Sequence, residues 1–253
     1  MHHHTKPIDM PIDKFIARTN IAKTNDSGFT LTELAIVMVI VALLIGGMLV
    51  PLSAQKDRQY SSETKILMSE IKDSLLGFAA VNGRLPCPAS PTIASGTANA
   101  GIEYPLNAAK TACSTASEGV LPWATLGVLE TDAWGRRLTY RVANSFAKAV
   151  PSGSNAAFSL ASTGDITVLA TAGGAPIASS LPLVVISHGK NGFRAYLSDG
   201  SQMDASPDAD ENANGNGDAT FVSKTQTQSY DDLVEWISPN ILFNRMIAAG
   251  KLP

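Results

Sequence analysis

The sequence has few cysteines and no run of basic residues, and each of these absences excludes a class of protein. Two cysteines in 253 residues exclude a disulfide-rich scaffold, and no CxxC or HExxH motif is present. The 19 basic and 22 acidic residues give a net charge of −3 without a basic run, so no nucleic-acid partner is expected. The chain is long enough for one large domain or two small ones.

The sequence also lacks the motifs of an enzyme. There is no Gly-x-Ser-x-Gly elbow and no phosphate-binding glycine loop. Ser187, His188 and Asp199 have the residue types of a catalytic triad, but His188 lies in a glycine-rich turn. We therefore interpret His188 as a solvent-exposed turn histidine and expect no catalytic residue.

One long apolar segment is present. Residues 34–50 form seventeen consecutive positions without a polar side chain, and no charge occurs between Glu33 and Lys56. A helix over residues 29–50 would rise about 33 Å, close to the ~30 Å hydrocarbon thickness of a bilayer. Pro51 follows and predicts a kink or a break. The segment is predicted to cross a membrane once, and the alternative is a buried core helix.

The basic residues around this segment predict its orientation. Lys6, Lys14, Arg18 and Lys23 precede it, whereas the first basic residue after it is Lys56. This bias favours a cytoplasmic N-terminus with the rest of the chain outside. A cleaved signal peptide is disfavoured, because the apolar run is longer than a usual h-region and the third residue before the candidate cleavage site is not small.

The residues that lead into the apolar segment resemble a known processing site. Gly28-Phe29-Thr30-Leu31-Thr32-Glu33-Leu34, followed by an uncharged run, is similar to the cleavage segment of type IV prepilins and of the pseudopilins of type II secretion. The resemblance implies that a membrane-embedded aspartyl peptidase cuts between Gly28 and Phe29, and that a methyltransferase modifies Phe29. It also implies a bacterial inner-membrane protein whose partners are other pilin subunits and an inner-membrane assembly platform.

Glu33 is the one acid at the entrance of the apolar segment. A carboxylate that leads a membrane helix is costly unless it is neutralised, and no Lys, Arg or His lies within a helical turn or two. Glu33 therefore either sits at headgroup level or pairs with a group outside its own chain. The resemblance supplies that group, the charged N-terminus of a neighbouring subunit, and the pair would fix the axial register of helices in a filament.

Four segments are expected along the chain. They are a leader at residues 1–28 that processing removes, a membrane and polymerisation helix at 29–52, an amphipathic helix at 53–82, and a globular head outside the cytoplasm at 83–253. Residues at steps of three and four mark the inner face of the amphipathic helix: Tyr60, Thr64, Leu67, Ile71, Leu75 and Phe78. Asn82-Gly83 predicts its end. The expected fold class is α+β, a pilin-like long helix packed on an antiparallel β-sheet.

The head has several predicted elements of its own. Short strands are predicted at residues 166–170, 181–187 and 193–197. Trp134 lies in an Asp-x-Trp-Gly turn that resembles the segment before an antiparallel strand in pseudopilin heads, and both Trp134 and Trp123 are interpreted as packing residues. A last helix is predicted, with Ser238 as its N-cap, Pro239 in its first turn and Gly250 at its end.

Cys87 and Cys113 are predicted to form a disulfide. They are the two cysteines of the chain, and the head is expected outside the reducing cytoplasm. Closing a loop of 25 intervening residues stabilises by about 3 to 4 kcal/mol in the loop-entropy model. A metal site would need more ligands than these two thiols and a distant histidine.

An acidic, asparagine-rich loop offers a candidate calcium site. Oxygen side chains alternate at Asp210, Asn212 and Asn214, with Asp218 further on, as at the start of an EF-hand loop. The twelfth position is Phe221 instead of glutamate, and no flanking helix pattern is evident. Some pseudopilin heads hold calcium in a late loop, so the resemblance supports a Ca²⁺ site at these four residues. A flexible acidic surface loop is the alternative.

Two functions stay open at this point. The first is a structural, non-enzymatic subunit of a type IV pilus-like or type II secretion filament, cleaved after Gly28, methylated at Phe29 and polymerised through its N-terminal helix. The second is a monomeric membrane-tethered binding module that keeps its N-terminal segment, with calcium as a possible cofactor. The state of the mature N-terminus distinguishes the two.

Overall fold

A computed structural model describes residues 28–114 and 116–253, with residues 47–52 described by their backbone alone. The predicted leader therefore lies outside the described residues, apart from Gly28. The chain divides into two compact units, Met1–Val50 and Pro51–Pro253. The second unit holds the predicted amphipathic helix and the predicted head together.

Helix α1 spans Leu31–Asn82 and continues through Pro51, so the helix does not break there. The nearly continuous helix that the sequence predicts is thus present, with its start two residues later than expected. Within the described residues, no helix is long and apolar enough to cross a membrane.

The part of α1 in the second unit buries one face. The fully or nearly fully buried positions recur at helical spacing: Thr64, Leu67, Met68, Ile71, Leu75 and Ala79. This is the face that the sequence predicts, and it belongs to the main hydrophobic core together with strand and C-terminal residues. Gly83 ends the helix with φ +70°, and a side chain there would meet the backbone oxygen of Asn155 at 2.4 Å.

A four-stranded antiparallel sheet packs on this face. Its strands are β1 (Glu118–Val120), β2 (Thr139–Val142), β5 (Leu183–Ser187) and β7 (Leu233–Ile237), in the order β1-β2-β5-β7. The three pairings are antiparallel, with Tyr140 opposite Val185 and Val185 opposite Glu235. Each residue of β5 is buried, because the strand is central in this sheet and both its faces are covered. The α+β class and the antiparallel sheet are confirmed.

A second, three-stranded sheet was not predicted. Its strands are β3 (Ile166–Leu169), β4 (Pro176–Leu181) and β6 (Thr220–Val222), in the order β4-β3-β6. β3 and β6 are parallel, which the expectation of a purely antiparallel head did not include. The predicted strand at 166–170 is confirmed, whereas the predicted strand at 181–187 is divided by Pro182 into the end of β4 and the start of β5.

The predicted strand at residues 193–197 is wrong. Gly192 and Arg194 have φ of +68° and +65°, so the backbone turns there instead of extending. Within that segment Tyr196 forms isolated bridges with Arg137 and Gln202. The aromatic and branched residues that suggested a strand pack in a turn-rich connection.

Four short helices complete the head: α2 (Trp123–Leu126), α3 (Asn144–Ala147), α4 (Ala209–Ala213) and α5 (Pro239–Ala248). The predicted cap of α5 is confirmed, since the Ser238 side chain accepts a hydrogen bond from the Ile241 amide and Pro239 occupies the first turn. Leu242 and Met246 are fully buried and Phe243 packs against the same core.

Three further contacts join the head to α1 or link parts of the head. The predicted disulfide joins Cys87 and Cys113. The ring of Trp134 meets Tyr60 of α1 edge-on at 6.2 Å, and the Ala133 amide donates to Thr64 at 3.3 Å. The Asp-x-Trp-Gly turn therefore packs on the helix, and it leads into the antiparallel strand β2, as predicted.

Candidate functional site

The predicted processing segment is exposed at the start of α1. Gly28 has open space where a Cβ would lie and a φ outside the left-handed region, so the described fold does not require glycine there. The Phe29 side chain is 87% exposed. Both residues of the predicted cleavage bond are accessible to a peptidase.

Glu33 forms a capping box with Thr30. The Glu33 Oε2 accepts from the Thr30 amide at 2.9 Å and from the Thr30 hydroxyl at 2.8 Å, while the Glu33 amide donates to that hydroxyl oxygen at 3.2 Å. Thr30 is thus the N-cap and Glu33 the third helical residue, which satisfies two amides at the helix start. The sequence reasoning missed this role, although Thr-x-x-Glu before an apolar run is its usual pattern.

The first unit presents an apolar surface around α1. Residues 31–46 are all exposed, and the large aliphatic side chains among them remain 42% to 86% accessible. Exposed apolar surface on this scale marks a site that another apolar phase or protein covers. The single carboxylate in this stretch is that of Glu33.

The prediction that His188 is exposed is wrong. His188 is fully buried, and its Nε2 lies 2.8 Å from the hydroxyl of Thr139. His188 directly follows the buried central strand β5, and its side chain is buried like those of the strand. The glycine-rich turn begins only after it. Ser187 donates to Asp132 at 2.6 Å and Asp199 accepts from Ser201, so the three triad residue types have separate partners.

Next to His188 lies a group of three acids that the sequence reasoning did not bring together. Glu211, Asp231 and Asp232 each offer a carboxylate oxygen, and these oxygens lie within 4.8 Å of one another. Glu211 and Asp232 are 1% and 3% exposed. Burial raises the pKa of the Asp232 carboxyl well above its usual value, and the neighbouring acids raise it further.

The four predicted calcium ligands have other partners. Asp210 pairs with Lys224 and also accepts from the Ala172 amide at 2.6 Å. Asn212 accepts from Arg194 at 3.2 Å, and Asn214 is buried, where it donates to Val222 and Asp232. Asp218 accepts from the Thr220 amide at 2.7 Å. Contrary to expectation, the acidic loop contains a helix. This helix, α4, is capped by Asp208 and includes Asp210 and Asn212. The calcium site at these residues stays a prediction.

Glu118 of β1 is a second unusual acid. Its Oε2 is buried without a hydrogen-bond partner among the described residues, and the guanidinium of Arg141 lies 3.8 Å away. Burial raises the pKa of the Glu118 carboxyl from 4.5 to about 7, against the lowering effect of Arg141. The sequence has no pattern that identifies this acid.

The raised pKa of Glu118 predicts a pH-dependent stability. Between pH 4.5 and 7 the folded protein holds a proton on Glu118 that the unfolded chain has lost, so stability falls as pH rises. The shift corresponds to about 3 kcal/mol. Urea unfolding at pH 5 and pH 7.5 should show a smaller loss of stability in Glu118→Gln than in the natural chain.

A matched variant controls this measurement. Glu70 is exposed on α1, and in Glu70→Gln the free energy of unfolding should depend on pH as it does in the natural chain. If the free energy of unfolding changes with pH equally in Glu118→Gln and in the natural chain, the proton is not held by Glu118.

Comparison with known proteins bears on the N-terminal segment. No curated protein and no solved structure matched the chain. The family model described as the prokaryotic N-terminal methylation motif matches residues 23–49, which include Gly28, Phe29 and Glu33. This motif supports a protein of the type IV pilin or pseudopilin kind and a structural subunit in preference to an enzyme. The chain therefore carries, over residues 23–49, the prepilin-type signal for N-terminal cleavage and methylation.

Proposed function

We infer that the protein is a structural subunit of a type IV pilus-like or type II secretion filament. It is cleaved after Gly28, methylated on the new amino group of Phe29 and assembled through its N-terminal helix. The observation that carries this proposal is the match of residues 23–49 to the N-terminal methylation motif. The subunit is made as a single-pass inner-membrane protein with a cytoplasmic N-terminus and a periplasmic head, and filament assembly removes the helix from the membrane.

The exposed apolar residues of α1 support this role. A surface of Leu, Ile, Val and Met side chains at residues 34–46 is stable in a bilayer and equally stable in a bundle of like helices. A helix over residues 29–50 would rise about 33 Å, and this length supports the proposed single span. A helix that exchanges lipid for identical helices loses little apolar burial, so a specific polar contact has to set its position.

Glu33 provides that contact. Methylation leaves the amino group of Phe29 charged, and this cation in one subunit can pair with the Glu33 carboxylate of another. In a low-dielectric helix bundle the pair favours the axial register that joins the two charges and penalises registers that leave them apart. The partners of the subunit are then other copies or related subunits, a prepilin peptidase and methyltransferase, and an inner-membrane assembly platform.

The mass of the mature N-terminus tests this function. Intact-mass measurement of the chain from a host with the prepilin peptidase should show loss of residues 1–28 and a gain of one methyl group on Phe29. Gly28→Val should keep the leader, because the peptidase site then carries a branched side chain. Gly77→Ala, a helical glycine with open space around it, should be processed like the natural chain.

The rival function predicts a different mass. A monomeric membrane-tethered binding module keeps its N-terminal segment, and its mass would be the same with and without the peptidase. That result would exclude the filament function. A thermal shift on addition of Ca²⁺ tests the predicted site at Asp210, Asn212, Asn214 and Asp218, and it does not distinguish the two functions, because both allow calcium.

A further inference from the structure

We propose that the head binds a small α-amino acid, in its zwitterionic form, in a cleft beside strand β1. The carboxylate of Glu118 holds the ammonium group of the ligand, and the guanidinium of Arg194 holds its carboxylate. The proposal does not depend on filament assembly, since both residues belong to the second unit of the chain.

The cleft has a volume of about 280 Å³ and is lined by residues of β1 and β2 and of the segments 194–202 and 215–217. Three of the lining residues are Gly119, Gly215 and Gly217, so no side chain fills the space from these positions. The volume lies just below the about 300 to 1,000 Å³ of pockets that take drug-sized ligands. The ligand is therefore a small molecule.

Glu118 brings an unsatisfied carboxyl group to this cleft. Its side chain is 16% exposed, and neither of its oxygens accepts a hydrogen bond from the described residues. The guanidinium of Arg141 lies 3.8 Å from Glu118 and 3.7 Å from Asp165, beyond hydrogen-bond distance of both. A largely buried carboxylate without a donor is costly, so a ligand ammonium group that donates to it removes part of this cost.

Arg194 is the cation of the cleft. Its Nε donates to Asn212 at 3.2 Å, and its Cβ lies so close to Gly215 that a side chain there would meet it at 2.3 Å. Within the part of the chain that the structure describes, its two terminal nitrogens donate to no residue. The guanidinium is thus held by its stem, while the donors that bind a carboxylate in pairs stay free.

Tyr196 shows that the two charges act in the same space. Burial raises the pKa of its phenol, the Glu118 carboxylate raises it further, and the Arg194 guanidinium lowers it. Glu118 and Arg194 nevertheless form no ion pair with each other in the described fold. A ligand with a single charge would satisfy one of them alone, whereas a zwitterion satisfies both. An α-amino acid is the smallest common zwitterion.

The test measures ligand binding to the full chain by saturation-transfer NMR titration at pH 8. Burial raises the pKa of Glu118 to about 7, so its carboxyl is ionised at this pH. The detergent has a polyoxyethylene headgroup, which carries neither a charge nor a sugar, and the buffer contains no primary amine. L-Alanine should bind at one saturable site. Ethylamine lacks the carboxylate of alanine and propionate lacks its ammonium group, so each should bind at least about tenfold more weakly.

Two variants assign the contacts. Glu118→Gln and Arg194→Gln should each weaken alanine binding at least about tenfold, because each removes one charge-assisted contact. Glu118→Gln should also weaken the binding of ethylamine but not of propionate, and Arg194→Gln should do the reverse. Glu70→Gln and Arg245→Gln change exposed residues of α1 and α5, and both should bind alanine like the natural chain.

Three results would overturn the proposal. They are the absence of saturable alanine binding, alanine binding that Glu118→Gln leaves unchanged, and tighter binding of D-glucose than of alanine, which would indicate a cleft for hydroxyl groups. Circular dichroism checks that the variants fold. If Arg194→Gln is unfolded, the comparison of alanine with ethylamine in the natural chain tests the cation, and equal affinity for the two would contradict its role.

Discussion

Replacing Arg137 with leucine is expected to lower the free energy of unfolding of the head by about 3 to 5 kcal/mol. The side chain is fully buried, and its guanidinium donates to the Glu130 carboxylate at 2.8 Å and to the backbone oxygens of Pro91 and Ser198 at 2.9 and 3.1 Å. It also lies 4.7 Å from the ring centre of Trp123. Leucine fills part of the volume but leaves a carboxylate and two carbonyl oxygens without their donor.

Two variants separate these contributions. Arg137→Lys keeps the charge but cannot reach three acceptors from one planar group, so its loss should lie between those of leucine and the natural chain. Arg245→Leu changes an exposed arginine of α5 and should alter stability by less than about 0.5 kcal/mol. Urea unfolding followed by tryptophan fluorescence measures all three. A leucine variant as stable as the Arg245 control would contradict a structural role for Arg137.

The long helix and its buried face could be predicted because they follow from local periodicity. Leu67, Ile71 and Leu75 recur at helical spacing, and Gly83 permits the left-handed backbone that ends the helix. The cap of α5 is equally local, since Ser238 and Pro239 act on the next few residues. These features depend on neighbours within one or two turns, which the sequence displays directly.

The second sheet could not be predicted, because its pairing is not local. β3 and β6 are separated by about fifty residues and run parallel, so no hairpin turn between them predicts their pairing. The burial of His188 has the same origin. A turn pattern determines the backbone, while the neighbouring strands β2 and β7 determine whether the side chain is covered.

The group of three acids illustrates the limit most clearly. The sequence pattern selects alternate oxygens in one loop, whereas the structure brings together Glu211 from α4 and an adjacent acid pair before β7. The pair Asp231-Asp232 is the one local signal, and two adjacent acids are common on protein surfaces. Only the fold shows that Asp232 is buried beside Glu211.

Glu33→Ala is expected to reduce filament assembly at least tenfold while leaving membrane insertion unchanged. Removing the carboxylate eliminates the ion pair with the neighbouring N-terminus, and a loss of about 1.4 kcal/mol per contact is already tenfold. Insertion depends on the apolar run at residues 34–50, which the substitution leaves intact. Filament yield by shearing and membrane content by fractionation are measured on the same cells.

The capping box offers a second explanation for a loss of assembly in Glu33→Ala, and Glu33→Gln is the control that separates the two. Alanine at position 33 removes the acceptor for the Thr30 amide and hydroxyl, so a loss of assembly could arise from a frayed helix start instead of a lost charge. Glutamine serves as well as glutamate at the third helical position of a capping box but carries no charge. Glu33→Gln should therefore keep the helix start and still assemble poorly. If Glu33→Gln forms filaments at the natural yield while Glu33→Ala does not, the cap, and not the charge pair, is what Glu33 contributes to assembly.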